Sequence, residues 1–434
     1  MIAKTLSCCT ILDGFASTAR ARKISLLLLA VLMLCGFGCA PESRRPSSSF
    51  DPTVILISFD GFRNDYIDKT DTPNLRRFVE GGVRAQGMIP AFPSKTFPNH
   101  YTIVTGLYPA HHGIVGNTMY DPDFNAIFKI SDREAVGDGR WWGGEPLWVT
   151  AQKQGQISGT FFWVGSEAEI AGVRPRYWKA YDAKEPNAER IQQALAWLDL
   201  PKAERPTFIT LYFSDTDHFG HDNGPDSPEA LTAIKAMDDL LGQFMQGLEA
   251  RGLLEKVNII ITSDHGMSPT SDERVIHLAD YIDLNPATAG VEVIDATPTV
   301  TLRPKQNTVE ALYQALVHAH PHMKVYRKGE FPEHFHYREH RRIMPLMCLA
   351  DDGWSIDMRP AGDATRSWNG GAHGYDNLLP SMRATFLARG PAFKRGVVIP
   401  PFQNIHLYNL MAKILRLKPA PNDGSLDSVR VMLR

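Results

Sequence analysis

The sequence predicts an α/β protein built on a central, mostly parallel β-sheet with helices on both faces and a ligand site at the carboxyl ends of its strands. Three observations carry this. Short β-branched apolar runs without polar alternation read as strands buried on both faces. Segments of helical periodicity lie between them, and strands alternating with helices imply a parallel sheet. Acidic residues and histidines follow the strands directly, where open α/β sheets bind their ligands.

In chain order, residues 20–34, ARARKISLLLLAVLM, place basic residues before an apolar run of about a dozen, the size of a secretion-signal core and short for a membrane span. The following LCGFGCAPESRRPSSSF resembles a bacterial lipoprotein processing site, with Cys39 as the lipidated first residue of the mature chain; the alternative is an ordinary signal peptide cut nearby. Either way the protein is expected to be exported: periplasmic, and anchored to a membrane only through a lipidated N-terminus. The expected organisation is a signal peptide over 1–38, a flexible Pro/Ser-rich tether over 39–50, and one catalytic domain over 51–434 with inserted cap segments. No internal repeat interrupts it.

Of five cysteines, only Cys348 lies beyond the targeting segment, so no internal disulfide and no thiolate metal site is expected. The formal charge is −2, and loss of residues 1–38 removes Lys4, Asp13, Arg20, Arg22 and Lys23, leaving −5. A mildly acidic surface argues against a long nucleic acid as partner.

The run TVILISF (53–59) reads as a strand ending at Asp60, and DTPNLRRFVEGG (71–82) as a helix. AFPSKTFPNH (91–100) sets Thr96 between two Phe-Pro turns, with His100 four residues on. NAERIQQALAWLDL (187–200) is a second helix; TFITLYF (207–213) is a strand running into SDTDHFGH, with Asp217 and His221. SPEALTAIKAMDDLLGQFMQGLEARG (227–252) is a long helix, followed by the strand VNIIITS (257–263) and then Asp264 and His265. GGAHGYD puts His373 in a glycine-flanked turn before a last strand, RATFLARG (383–390), also expected to be parallel.

Asp217 and His221, four apart, can reach one ion from a first helical turn, and a turn after the third strand can swing Asp264 and His265 inward together. Seven candidates divide into two sets: Asp60, Thr96, Asp264 and His265 around one cation, and Asp217, His221 and His373 around another. Mixed Asp/His ligation without thiolate suits zinc best, with manganese or iron as alternatives. A single Asp after a strand is more often a cap and a single His more often a surface or core group; three strand ends carrying the same chemistry are not coincidence. Coordination to a divalent cation would remove the Thr96 hydroxyl proton near neutral pH with no side-chain base.

With these residues in place the chain resembles the nucleotide pyrophosphatase/phosphodiesterase family of the alkaline phosphatase superfamily. The stretches that carry the likeness are ILISFDGFRNDY, TPNLRRFVEGGV, FPSKTFPNHYTIVTGLYPAHHGIVGNTMYD, GGEPLWVTA, YFSDTDHFGHDNGP, ITSDHGM, HGYDNLLPSMRATFLARGPAF and NIHLYNLMAKILRLKPAPNDGS, in order over most of 53–425. It is most similar to compact bacterial members made of the catalytic domain alone, so a nuclease-like domain and its calcium site are not expected.

The resemblance implies two Zn2+ per chain, Thr96 as nucleophile, and Asn117 binding a phosphoryl oxygen together with the nucleophile's backbone N–H. It implies that Phe97, Tyr181 and Tyr212 hold the base of a nucleotide substrate between ring faces. The expected reaction is hydrolysis of nucleotide phosphodiester or pyrophosphate bonds to nucleoside 5′-monophosphates through a phosphothreonine. Its alternatives are a phosphomonoesterase, a lipid or choline head-group phosphodiesterase, and a non-catalytic zinc-binding lipoprotein. Lys95 could point toward the phosphate or away from it, which leaves the choice between monoester and diester open.

Three stretches look chemical and are read otherwise. EHFHYREHRR (333–342) is an exposed charged face rather than a His334/His336/His340 metal cluster, DPDF (121–124) a turn rather than a calcium loop, and RWWGGEPLW (140–148) packing around the phosphate pocket.

Overall fold

Val54–Phe59 (β1) is buried along its whole length because its side chains enter two different cores. Val54 and Leu56 pack on one side of the sheet and Ile55, Ile57 and Phe59 on the other, the two-residue alternation of a strand covered twice. The computed structural model describes residues 50–434 apart from 286, 306 and 364; the targeting segment and Cys39 lie outside the described residues.

After β1 come, in chain order, β2 (Val83–Ala85), β3 (Ser158–Phe161), β4 (Tyr177–Trp178), β5 (Phe208–Phe213), β6 (Asn258–Thr262), β7 (Val291–Asp295), β8 (Thr299–Pro304), β9 (Met323–Arg327), β10 (Leu346–Ala350), β11 (Phe386–Arg389) and β12 (Val397–Ile399). The main sheet has the order β12-β2-β11-β6-β1-β5-β3-β4. β1 is flanked in parallel by β5 and β6, so the three strands that lead into Asp60, Asp217 and Asp264 are neighbours with their carboxyl ends at one edge.

The helices of seven residues or more are α1 (Pro73–Glu80), α2 (Thr96–Thr105), α3 (Leu147–Lys153), α4 (Asn187–Asp199), α5 (Asp215–Asn223), α6 (Pro228–Ala250), α7 (Val309–Leu316) and α8 (Leu407–Leu415). α2, α3 and α8 cover one face of the sheet, and α1, α4 and α6 the other. The long helix begins where Ser227 Oγ accepts the Ala230 N–H at 3.1 Å with Pro228 in the first turn, a pairing that fixes its start. α2 stops at Gly106, whose φ of +68° reverses the chain.

One expectation is corrected. The strand within 383–390 is antiparallel, pairing Phe386 with Thr262. The chain delivers His373 to the carboxyl edge and re-enters the sheet from that edge, whereas a parallel strand would need a long crossover first.

Between His265 and His373 the chain builds a second, antiparallel sheet of order β7-β8-β10-β9, packed with α7 around its own core of Ile276, Leu302, Val325 and Cys348. Cys348 is free and buried, and burial pushes its thiol up to about 12. No described helix is long and apolar enough to cross a membrane.

Candidate active site

Asp60 leaves β1 with its N–H on Phe213 O at 2.8 Å, and the chain turns at Gly61 with φ +64°. A Cβ at Gly61 would lie 3.0 Å from Asp217 Cα, so only glycine lets the two carboxylate-bearing turns approach. Thr96 is the first residue of α2, where backbone N–H groups have no intrahelical acceptor and the helix dipole favours an anion.

Asp217 and His221 lie one turn apart on α5, His221 Nε2 being 3.4 Å and His373 Nε2 3.6 Å from Asp217 Oδ1. His373 reaches them because Gly370 and Gly371 press against α5: a Cβ on either would lie 2.2 Å from His221 O or 2.5 Å from Gly220 O. Asp264 and His265 both turn inward after β6. His265 Nε2 lies 2.9 Å from Asp264 Oδ2, 3.5 Å from Asp60 Oδ1 and 3.4 Å from Thr96 Oγ1. The rings of His265 and His373 stack at 3.5 Å and join the two groups.

The seven expected ligands are thus brought together, and their hydrogen bonds leave one kind of atom unused. Nδ1 of His221, His265 and His373 each lies 2.8 Å from a backbone carbonyl, of Gly371, Gly266 and Ser94. A carbonyl only accepts, so Nδ1 carries the proton and Nε2 presents its lone pair. Asp60 Oδ2 accepts the Tyr212 hydroxyl at 2.6 Å, and Asp264 Oδ1 accepts Gly61 N–H and Ser263 Oγ at 3.2 Å each. Their other oxygens, Asp60 Oδ1 and Asp264 Oδ2, and also Asp217 Oδ1, are buried without a hydrogen-bond partner. Buried lone pairs converging on one another are costly unless a proton or a cation sits among them, so the residues fit bound divalent metal.

The charges are strained accordingly. Burial, with Asp264 and Asp217 beside it, pushes Asp60 well above the usual carboxylate range. Burial also works to raise Asp264, but His265 and His100 outweigh it and hold that carboxyl well below. Burial, helped by His265 and His221, keeps the His373 ring well below its ordinary value and therefore neutral.

Asn117 Oδ1 accepts the Phe97 N–H at 3.0 Å. Phe97, Tyr181 and Tyr212 line one cavity of about 740 Å3 with Thr96, Asp60 and Asp217. Tyr212 has a second contact that the stacking role did not anticipate, since its hydroxyl braces Asp60. Lys95 turns away: its Nζ lies 2.6 Å from Asp295 Oδ2 and 3.2 Å from Ala296 O in the inserted unit, and its side chain is 5% exposed.

Sequence reasoning gave no role to His100, although it lies four residues after Thr96 on the same helix. It also missed Arg133 and Glu167, an ion pair on the cavity wall where Glu167 accepts the Tyr181 N–H at 3.1 Å. No local signal marks residues 34 apart.

In the stretch 333–342 the expected exposed face holds for Glu333, His336, Arg338, Glu339 and Arg341, while Phe335, Tyr337 and Arg342 turn inward and are buried. Its histidines go to separate partners, His334 to Asp376 at 3.3 Å and His336 stacked on Tyr108 at 4.0 Å, so they form no cluster. Asp121 makes the expected turn by accepting the N–H groups of Asp123 and Phe124, and Trp141, Trp142 and Trp148 are core residues near Phe97.

An α/β sheet whose carboxyl edge gathers three aspartates and three histidines around one threonine hydroxyl defines a class of metal-dependent phosphoester-handling proteins. The comparisons narrow the class. The family model for type I phosphodiesterase / nucleotide pyrophosphatase matches residues 54–376, and the chain belongs to that family, within the alkaline phosphatase superfamily. It is 40% identical over 405 residues to human ectonucleotide pyrophosphatase/phosphodiesterase family member 1, a match covering 91% of this chain and 43% of that one. An uncharacterized pyrophosphatase/phosphodiesterase of Schizosaccharomyces pombe is 38% identical over 429 residues, covering 95% and 88%. Among solved structures, an inactive threonine-to-alanine variant of murine ectonucleotide pyrophosphatase / phosphodiesterase 5 in complex with AMP superposes with a TM-score of 0.83 at 36% identity, covering 88% of this chain and 100% of that one. The chain spans less than half the length of the human relative.

Proposed function

We propose that this chain is a zinc-dependent nucleotide pyrophosphatase/phosphodiesterase that releases nucleoside 5′-monophosphates. The observation that carries the reading is the Thr96 hydroxyl, 3.4 Å from His265 Nε2 and beside carboxylate oxygens left without partners. Asp60, Asp264 and His265 with Thr96 would hold one Zn2+, and Asp217, His221 and His373 a second. When bound, they would supply the positive charge that lowers the pKa of the Thr96 hydroxyl and offsets charge on the phosphoryl oxygens.

Thr96 Oγ1 releases its proton to solvent and forms the bond to phosphorus while the bond from phosphorus to the leaving oxygen breaks, giving phosphothreonine and a leaving group that takes up a proton from solvent where its basicity requires one. Water then attacks phosphorus from the vacated side, the bond to Oγ1 breaks, and the nucleoside monophosphate departs; the attacking water gives up a proton and Oγ1 regains one. Asn117 donates from its amide nitrogen to a phosphoryl oxygen, and the start of α2 places backbone N–H groups toward the same charge. Phe97 and Tyr181 offer ring faces to the base, at about 1–3 kcal/mol for each stacked contact. The direction of Lys95 favours diesters. The extra charge of a monoester would need a cation near phosphorus, and this lysine is committed to Asp295.

The reading extends to targeting: residues 1–38 as an export signal, lipidation of Cys39, and a periplasmic catalytic domain over 51–434. The basic-then-apolar pattern before Cys39 supports it. Metabolic labelling with palmitate in a bacterial host should mark the chain and spare Cys39→Ser.

The catalytic reading is tested with residues 40–434, zinc-loaded, acting on p-nitrophenyl thymidine 5′-phosphate and on p-nitrophenyl phosphate, with Thr96→Ala as control. A large preference for the nucleotide diester that disappears in Thr96→Ala is expected. Equal or better turnover of the monoester would overturn the diesterase assignment, and zinc binding without turnover of either would overturn catalysis.

A further inference from the structure

His100 is completely buried and touches three elements that each deliver a residue to the site. Its Nδ1 lies 3.0 Å from the backbone carbonyl of Thr96 and 3.3 Å from Asp264 Oδ2, and its Nε2 lies 2.8 Å from Ser58 Oγ, two residues before Asp60 on β1. The Thr96 carbonyl and the Asp264 carboxylate both attract a proton, so Nδ1 carries it and Nε2 accepts from the Ser58 hydroxyl. Both ring nitrogens are then engaged. Although Asp60, His100 and Asp264 place ligand atoms within 4.8 Å of one another, the imidazole has no lone pair left for a metal.

The ring is also held in plane. Trp163 and Tyr212 stand edge to face with it at 5.1 and 5.2 Å, and Trp163 Nε1 donates to the His100 carbonyl at 3.0 Å. Such a ring cannot turn without moving the wall of the substrate cavity. A hydrophobic residue of the same size would fill the space equally well, so packing alone does not call for two ring nitrogens there.

We propose that His100 is a positioning residue: its Nδ1–H bonds the backbone carbonyl of Thr96 while the same nitrogen stands against Asp264 Oδ2, 3.3 Å away, and so sets the nucleophile against the cation cradle. This rests on the proposed hydrolytic reading for its catalytic consequence, but not for its effect on metal. Residues that stand against a metal ligand and fix its orientation carry about 10–100-fold in metal affinity, and a misplaced nucleophile lowers kcat with little change in KM.

The test compares His100→Leu, His100→Asn and His100→Gln in the zinc-loaded protein. Chelator competition measures the affinity of each bound zinc, and turnover of p-nitrophenyl thymidine 5′-phosphate measures kcat and KM. Leu should weaken one of the two zinc ions about 10–100-fold and lower kcat with KM within a few-fold. Asn, whose amide nitrogen overlays Nδ1, should restore both; Gln, whose amide reaches toward Ser58, should not. Equal behaviour of Asn and Gln, or unchanged zinc affinity in Leu, overturns the proposal. If Leu does not fold, the Asn and Gln pair decides. If the wild type binds zinc but turns over no phosphodiester, the hydrolytic reading fails while the zinc arm still tests His100.

Discussion

The amide oxygen of Asn117 accepts the backbone N–H of Phe97 at 3.0 Å, so the residue next to the nucleophile decides which end of that amide remains for a ligand. The free end is Nδ2, a donor, as an anionic phosphoryl oxygen requires. Asn117→Ala should therefore lower kcat on a nucleotide diester about 100-fold, the usual effect of removing one donor to a developing oxyanion. Asn117→Asp, which keeps the acceptor and loses the donor, should fall at least as far. Steady-state kinetics with circular dichroism to confirm folding checks this.

Lys95, which is buried, and Asp295, which is partly buried, form an ion pair between the nucleophile segment and the inserted antiparallel unit. Lys95→Met leaves Asp295 unpaired and should cost about 3–5 kcal/mol of stability, whereas Lys95→Met with Asp295→Leu should recover most of it. Urea unfolding of the two variants separates these outcomes.

On the proposed ligand set, zinc contacts would run from residue 60 to residue 373 and would stabilise only the folded chain. Removing zinc with a chelator should lower the melting temperature, and re-addition in excess of Kd should restore it, by about 4 kcal/mol at a thousandfold excess. His373→Ala should bind roughly one zinc fewer and lose the corresponding part of the thermal shift. Scanning calorimetry with metal analysis reads both.

His112 gives a pH dependence away from the site. Burial pushes its ring down to about 3 from 6.5, and it is held neutral between Thr102 Oγ1 at 3.0 Å and the Ile114 N–H at 3.1 Å. The folded state thus resists a proton that the unfolded chain accepts. Its contribution is complete above about pH 6.5 and is lost as pH falls toward 3, amounting to about 2 kcal/mol between pH 7 and pH 5. Replacing it, as in His112→Gln, should flatten the stability profile by that amount over the same interval.

The sequence was most legible where one principle acted alone. Strands buried on both faces have no polar alternation to confuse them, so 53–59, 207–213 and 257–263 were placed within a residue or two. That the seven candidate ligands would meet at one edge was equally readable, because Asp and His recur after three such strands and not after one. The direction of the strand in 383–390 was not, since an apolar run such as TFLA reads the same for both senses and only the path through His373 decides. His100 was invisible for a different reason: its importance lies in Ser58 and Asp264, 42 and 164 positions away, and no periodicity records such a meeting. The side taken by Lys95 likewise depended on Asp295, in a segment whose fold the sequence left open.

The groups around Thr96 come from strand ends and the first turns of helices, while the outer wall of the cavity, including Glu167, Tyr181 and residues 183–187, comes from the connection between β3 and α4. Much of the recognition surface is therefore carried by a part of the chain that bears none of the candidate metal ligands, although Phe97 and Tyr212 stay with the chemistry. A combinatorial library confined to residues 164–187 would leave Thr96, the candidate metal ligands and the Trp163 brace on His100 untouched while varying this outer wall, which makes the connection the natural place for both evolution and engineering to search.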